Sequence, residues 1–329
     1  MTYTFCTLFD KNYLYRGLAL YDSLEKHCVD FKIYILCLDQ ETFDLLTKFK
    51  LTRAELVKLS SIEGEKLLRA KSNRSVGEYC WTLGSVFTYY LLKKYPDIKE
   101  LAYLDSDIYF YSSPQPIYDE LSDKSILIIR HNYSPALEYL AKRSGIYNVA
   151  MVIFKNDEYG LACLTWWQDA CLTWCYNRLE DGKFGDQMYL DTWPLKFKGV
   201  HVLEHSGGDV APWNVARYNI NRQNDKLMVA NNQELIFYHF HTLKLIKADH
   251  FQLYSSFYRL PKIVDELIYL PYLQDLRRLI KMVQALDPNF KYGFSKPETS
   301  REKLRQRVKR ILINILYLFK KYESTKDKS

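Results

Sequence analysis

The chain has 329 residues, of which 48% are hydrophobic, 26% charged and 16% aromatic, and a formal net charge of +7. This composition excludes a disordered or fibrous chain and allows one large domain with appendages, or two domains. Part of the positive excess sits at the C-terminal end and no nucleic-acid-binding motif accompanies it, so the expected partners are anionic substrates or an anionic membrane surface, and not nucleic acid.

Residues 3–9 are predicted to form a first strand rather than a signal peptide, because neither a basic segment nor a long apolar core opens the chain. Lys11-Asn12-Tyr13 is a turn, residues 15–27 have helical periodicity through Leu18, Tyr21 and Leu24, and residues 31–38 are a second strand. A helix over 40–50 and a short strand over 54–59 continue the alternation. That order argues for a parallel α/β sheet with ligands at the C-terminal strand ends. Residues 78–95 are predicted helical, with Trp81, Val86, Phe87, Tyr90 and Leu91 on the apolar side and Pro96 after the end. A strand through 102–110 follows. The segment 112–116 then breaks the chain before a short helix at 117–121, a strand at 125–130 and a helix over 135–143. Residues 147–154 are a strand and 158–178 a long helix, and Phe184-Gly185-Asp186-Gln187 opens another helix. Late strands are expected at 199–203 and 235–241, with loop between them. Beyond about residue 246 helical segments replace strands, residues 295–300 are a linker, and 301–321 form an amphipathic helix. Its apolar stripe is Leu304, Val308, Ile311, Leu312, Ile315, Leu318 and Phe319, with many Lys and Arg opposite. No apolar run reaches the ~18 residues of a membrane span. The seven cysteines are scattered without a Cys-X-X-Cys, and read as reduced core residues of a cytoplasmic protein.

The chemistry centres on Asp105 and Asp107, one residue apart in an otherwise apolar strand. A buried strand tolerates two carboxylates only where their charge is balanced. A divalent cation carrying a phosphate balances it, and oxygen ligands suit Mg²⁺ or Mn²⁺. The plain alternative is a strand end at which both acids face water.

The opening Thr4-Phe5-Cys6-Thr7-Leu8-Phe9-Asp10-Lys11-Asn12-Tyr13, followed by Gly17-Leu18-Ala19-Leu20-Tyr21-Asp22-Ser23-Leu24, resembles the start of glycosyltransferase family 8 enzymes of the glycogenin and lipopolysaccharide galactosyltransferase type. Four further blocks fall in that family's order: Tyr-Leu-Asp105-Ser-Asp107, Asn148-Val-Ala150, Asp186-Gln187 and His239-Phe-His241-Thr242-Leu-Lys244. The resemblance spans roughly residues 1–245, and its closer kin are expected among uncharacterised bacterial members. It implies a GT-A fold, a mixed and mostly parallel sheet flanked by helices, over 1–245. A helical extension would pack on it over 246–300, and a basic amphipathic helix and tail would occupy 301–329. It also implies a metal-dependent glycosyltransferase that moves a sugar from a nucleotide-diphosphate sugar, with UDP-sugar as donor, to a glycan or lipid-linked acceptor with retention.

Under this resemblance Asp105 and Asp107 would hold a cation that bridges the donor's phosphates. His239 matches the family's third ligand, which lies three residues before a glycine that is Thr242 here. His241 is the alternative, since alternation on one strand turns both rings to one face. Imidazole with carboxylates suits Mn²⁺ somewhat better than Mg²⁺. Lys244 would contact the diphosphate. Phe9, Asp10 and Tyr13 would hold the uridine through an aromatic face and an acceptor for its N–H. Asn148 would bind the sugar hydroxyls, Arg130 and His131 would reach the donor from a strand end, and Asp186 and Gln187 would flank the anomeric carbon. The family's next acid is Met188 here. Trp213 and Asn214 are candidates for acceptor contact.

Other readings stand beside this one. A sugar-phosphate nucleotidyltransferase needs a Gly-rich basic loop after the first strand, where Phe9-Asp10-Lys11-Asn12 has no glycine. A non-catalytic nucleotide- or glycan-binding protein would have no need of Asp105, Asp107 and Asp186. An inverting transferase needs a carboxylate base on the acceptor, for which Asp186 or Asp209 would serve. The C-terminal helix either packs on protein or lies peripherally on an anionic cytoplasmic membrane face.

Overall fold

The first strand sets the layers. In β1 (Tyr3–Phe9), Tyr3, Phe5 and Phe9 face one apolar cluster while Cys6 and Leu8 face another, the period-2 alternation of a strand buried on both sides. The chain is described by a computed structural model covering residues 2–230 and 233–326, with side chains of the last helix given as far as Leu318. After β1 come α1 (Leu14–His27), β2 (Phe31–Cys37), α2 (Gln40–Phe49), β3 (Ala54–Lys58), α3 (Glu65–Ser72), α4 (Val76–Lys94) and β4 (Glu100–Leu104). The middle of the chain adds β5 (Ile108–Phe110), α5 (Gln115–Leu121), β6 (Ile126–Arg130), α6 (Ala141–Ser144), β7 (Tyr147–Lys155), α7 (Glu158–Thr173), α8 (Trp193–Lys196) and β8 (Val200–Val202). The remainder is β9 (Asn221–Gln223), β10 (Lys226–Met228), β11 (Phe237–His239), β12 (Lys244–Lys247), β13 (His250–Gln252), α9 (Lys262–Val264), α10 (Leu270–Leu286) and α11 (Ser300–Lys326).

Seven strands form one mixed sheet in the order β3-β2-β1-β4-β7-β6-β8. β3, β2, β1 and β4 run parallel, β7 is antiparallel to both β4 and β6, and β8 is parallel to β6. The mostly parallel sheet flanked by helices is thus present. α1, α2 and α10 cover the Phe5 face, and α3, α4 and α7 cover the Cys6 face.

Local chemistry fixes the helix starts. Asp39 caps α2 by accepting from Thr42 N (2.7 Å) and Asp157 caps α7 by accepting from Gly160 N (2.8 Å). Ser75 and Glu78 form a reciprocal capping box, which starts α4 at Val76, two positions before the expected helix. α7 stops at Thr173, short of residue 178. The segment 135–143 opens as a tight 3₁₀ turn (Pro135–Leu140) before α6. The helix expected to open at 184–187 is instead a loop leading into a 3₁₀ turn, Met188–Thr192. After residue 246 the chain does not turn helical at once, because β12 and β13 form an antiparallel hairpin. Every cysteine is free and six of the seven are buried.

The extension shares the main core rather than forming its own. Leu260, Val264, Ile268, Tyr269, Tyr272, Leu273, Leu276, Leu279, Ile280, Val283 and Phe290 lie in the same apolar cluster as Phe5, Leu18 and Leu24. Phe240 and Tyr272 stack with ring centroids 3.7 Å apart. α11 is different. Arg310 Nη1 donates to Ser256 O (3.3 Å) and Tyr258 O (3.2 Å), yet Leu304, Val308, Ile311, Leu312, Ile315 and Leu318 remain 44–64% exposed. The Phe319 side chain of that stripe and residues 327–329 of the tail lie outside the described residues. Among the described residues no helix is long and apolar enough to cross a membrane.

Candidate active site

The parallel strands β1 and β4 end at one edge of the sheet, and the acidic stretch begins there. Asp105 N donates to Ala150 O at 2.9 Å, so the Asn148-Val149-Ala150 block of β7 lies alongside it. Asp107 precedes β5, which pairs antiparallel with β11 in the register Ile108↔His239. Phe240 N donates to Asp107 O (2.9 Å). A three-residue strand pair therefore carries a distant histidine to the acids: Asp107 Oδ1 and His239 Nε2 are 3.2 Å apart. One ligand atom from each of Asp105, Asp107 and His239 lies within 4.8 Å of the other two.

The electrostatics of this group are strongly skewed. Burial and the neighbouring Asp107 push the Asp105 carboxyl up to about 6, against the pull of His239. Burial also pushes on Asp107, but His239, and then Arg16, outweigh it and hold that carboxyl at about 2. Burial opposes charge on His239, yet Asp107 and Asp209 outweigh it and raise the imidazole well above its ordinary value. Two partly buried carboxylates and a buried imidazole converging here are a donor set that a divalent cation fits, with Mn²⁺ or Mg²⁺ matching the ligand types.

A cleft of about 400 Å³ opens beside Asp107, lined also by Asn12, Tyr13, Arg16, Thr242, Lys244 and the segment around Gly293, Phe294 and Glu298. Tyr13 is 43% exposed. Asp10 accepts from Asn12 N (2.9 Å) and Tyr13 N (3.2 Å) and so shapes the turn that carries Tyr13. Phe9 is placed otherwise than expected. Its ring is buried and packs so tightly on Gly17 that an added Cβ there would lie 2.2 Å from it, so it offers no face to a base. Thr242 has φ +66°, the left-handed backbone that glycine adopts freely, and its hydroxyl accepts from Ser255 N (3.0 Å). The turn before Lys244 thus keeps a glycine-like shape.

Asn148 is buried, with Oδ1 accepting from Ala150 N (2.6 Å). Asp186 is buried, its carboxyl raised by burial and by Asp105, and its main-chain carbonyl accepts from Trp167 Nε1 (2.9 Å). Gln187 donates through Nε2 to Ser144 O, which leaves its side-chain oxygen unused by that bond. Arg130 is exposed and lies 5.1 Å over the Tyr147 ring. His241 lies past the end of β11 and is exposed, its ring centroid 6.1 Å from that of His239; it is not part of the three-residue cluster. Trp213 and Asn214 are buried, and Asn214 Nδ2 donates to the His131 and Asp209 carbonyls. Trp213 packs edge-on against His239 (5.2 Å) and His241 (5.4 Å). Asp209 is fully buried behind His239, so it cannot serve as a base on an acceptor.

Sequence reasoning passed over Arg16. Its guanidinium lies under Tyr13 (4.6 Å), donates to Leu243 O (2.8 Å) and lines the cleft beside Asp107. The signal was an arginine in the otherwise apolar first turns of α1.

No protein-family model matches the chain. Among solved structures it is similar to a galactosyltransferase LgtC in complex with donor and acceptor sugar analogues, at 14% identity and TM-score 0.48, covering 91% of this chain and 99% of that one. It is also similar to the glycosyltransferase GlyE of Streptococcus pneumoniae TIGR4, at 16% identity and TM-score 0.49, covering 90% of this chain and 66% of that one. Two curated proteins of Bacillus subtilis (strain 168) align over nearly their whole length. The uncharacterized protein YfnD is 32% identical over 296 residues, 89% of this chain and 94% of its own. The uncharacterized protein YfnF is 32% identical over 308 residues, 92% of this chain and 100% of its own. On that identity and coverage, the chain belongs to the family of YfnD and YfnF.

Proposed function

We propose that the chain is a metal-dependent glycosyltransferase that moves a sugar from a nucleotide-diphosphate sugar, with UDP-sugar as donor, to a glycan or lipid-linked acceptor with retention. The observation that carries this reading is the convergence of Asp105 and Asp107 with the distant His239, in a cluster whose Asp107 also lines a cleft holding Tyr13, Arg16 and Lys244.

In this reading Asp105, Asp107 and His239 hold Mn²⁺ or Mg²⁺, which would neutralise charge growing on the departing nucleotide diphosphate. Tyr13 offers its exposed ring to the base and Asp10 an acceptor for the base N–H. Lys244 and Arg16 supply fixed positive charge for the phosphates. Asn148 and Arg130 remain candidates for donor contact. Gln187 and Asp186 lie beside the anomeric carbon, where positive charge develops as its bond to the diphosphate oxygen breaks. The acceptor oxygen then bonds to that carbon, and its proton leaves with the diphosphate or to water.

A second element concerns the surface of action. The exposed apolar stripe of α11, with Lys and Arg on its other face, favours a peripheral contact with anionic lipid. That suits a lipid-linked acceptor.

The test is release of nucleotide from a panel of UDP- and GDP-sugars with and without Mn²⁺, on the native chain and on Asp107→Ala. The expected result is turnover of a UDP-sugar that requires the metal and is lost in the variant. Turnover that survives EDTA, or that Asp107→Ala leaves intact, overturns the reading.

A further inference from the structure

Behind the cluster lies a carboxylate that the proposed reaction leaves without a task. Asp209 is fully buried, and among the described residues neither of its oxygens has a hydrogen-bond partner; the same is true of His239 Nδ1. The two face each other, with Asp209 Oδ1 3.4 Å from His239 Nδ1. The opposite nitrogen of the ring, Nε2, is the one that faces Asp107. A buried carboxylate with no donor is strongly disfavoured, so its persistence calls for a proton to accept, and among the described residues His239 Nδ1–H lies within reach.

The chain goes to some length to hold Asp209 there. Asp209 has φ +57°, a conformation unfavourable for most side chains and tolerated by Asp. Asn214 Nδ2 donates to Asp209 O (2.8 Å) and to His131 O (2.9 Å), while Ala211 N donates to Asn214 Oδ1 (2.8 Å). The two glycines before Asp209 allow the close approach. A Cβ on Gly207 would lie 1.9 Å from Glu234 O, and one on Gly208 2.5 Å from Leu203 Cδ2. Gly207 O in turn accepts from Ile236 N (2.9 Å) and Phe237 N (3.2 Å). This presses the loop against the start of β11, the strand that ends at the histidine.

We propose that Asp209 is the positioning residue of the cation site: it accepts the Nδ1–H of His239, fixes that tautomer, and so aims the Nε2 lone pair at the space shared with Asp105 and Asp107. A partner of this kind orients a ligating imidazole and raises its basicity. The proposal rests on the metal reading above. Asp209 does not touch the donor or the reacting atoms.

The test measures metal binding and ring tautomer, not turnover. Mn²⁺ affinity is determined by calorimetry for the native chain, Asp209→Asn and His239→Gln. The near-isosteric Asp209→Asn is expected to weaken Mn²⁺ about 10- to 100-fold, and native-like affinity in that variant overturns the proposal. If the native chain binds no Mn²⁺, the metal reading itself fails, an outcome distinct from native binding that ignores the substitution. Should Asp209→Asn not fold, long-range ¹H–¹⁵N spectra of the Mg²⁺-loaded native chain decide, with the His239 signals identified by their loss in His239→Gln. The proton is expected on Nδ1, and finding it on Nε2 overturns the proposal.

Discussion

Cutting the chain after residue 245, where the resemblance ends, should destroy the fold. The eleven buried side chains from Leu260 to Phe290 belong to the cluster that covers β1 and α1. At roughly 1.5–3 kcal/mol for each fully buried apolar side chain, their burial represents about 15–30 kcal/mol. The deleted segment takes its own ordering entropy with it, so the fair measure is the surface left behind, about half of that figure. A deficit of ~8–15 kcal/mol matches or exceeds the ~5–15 kcal/mol by which a domain is stable at all. A chain ending at 245 should therefore be insoluble, or soluble without near-ultraviolet circular dichroism or a cooperative melt. A chain ending at 299 keeps α10 and Phe290, loses only the lightly attached α11, and should melt within a few degrees of the full chain. The assay is thermal unfolding of the two truncations followed by near- and far-ultraviolet dichroism. A cooperative melt with native near-ultraviolet signal from the chain ending at 245 would refute the reasoning.

Arg16→Ala should weaken UDP binding about 10- to 100-fold in calorimetry, the ~1.5–3 kcal/mol of a charged hydrogen bond; equal affinity would remove Arg16 from the diphosphate site. His131 is buried, and burial, then the charges of His239 and His241, depress its imidazole to about 3. The ring is neutral in the fold and protonated in the unfolded chain below ~6.5. Its contribution is complete above ~6.5 and is lost toward pH 3, by up to ~1.4 kcal/mol per unit. Urea unfolding between pH 7 and 4 should show a shallower pH slope in His131→Gln, and identical slopes count against this assignment. Deleting residues 300–329 should abolish co-sedimentation with anionic vesicles while neither chain binds neutral ones; equal retention of both chains rules out the anchor.

The parts of the fold carried by local pattern were readable. β1, β2 and β3 alternate with α1 and α2, and each pair announces itself by period and by turn residues such as Asp39. Asp105 and Asp107 stood out because carboxylates are costly in an apolar strand. What escaped depends on contacts distant in sequence. Phe9 suited either a nucleobase or a core, and only the packing of Gly17 decides for the core. Arg16 looks like any helix residue until Tyr13 and Leu243 enclose it. The Gly207-Gly208-Asp209 loop reads as a turn, since nothing nearby in the sequence reveals that Asp209 is walled in behind His239. Of the two histidines, alternation could not choose, and the end of β11 at His239 leaves His241 exposed. The β12–β13 hairpin is too short, with three or four residues per strand, to give a period.

The pairing of β5 with β11 has a consequence for how the protein is made. Asp105 and Asp107 leave the ribosome long before His239, and a three-residue strand pair must close the wide loop between them. Loop closure of that length carries an entropic cost before any contact rewards it. A nascent chain that has formed β1 to β4 therefore has the acids without their histidine, and it has none of the cleft wall around Gly293. In the proposed reading, a cation and a nucleotide would meet their complete site only after the C-terminal segment has folded, too late to template the first strands. Such ligands would reward only the finished chain, by stabilising the native state in proportion to their occupancy, and under the proposed function their binding would be a late checkpoint on quality rather than a guide along the way.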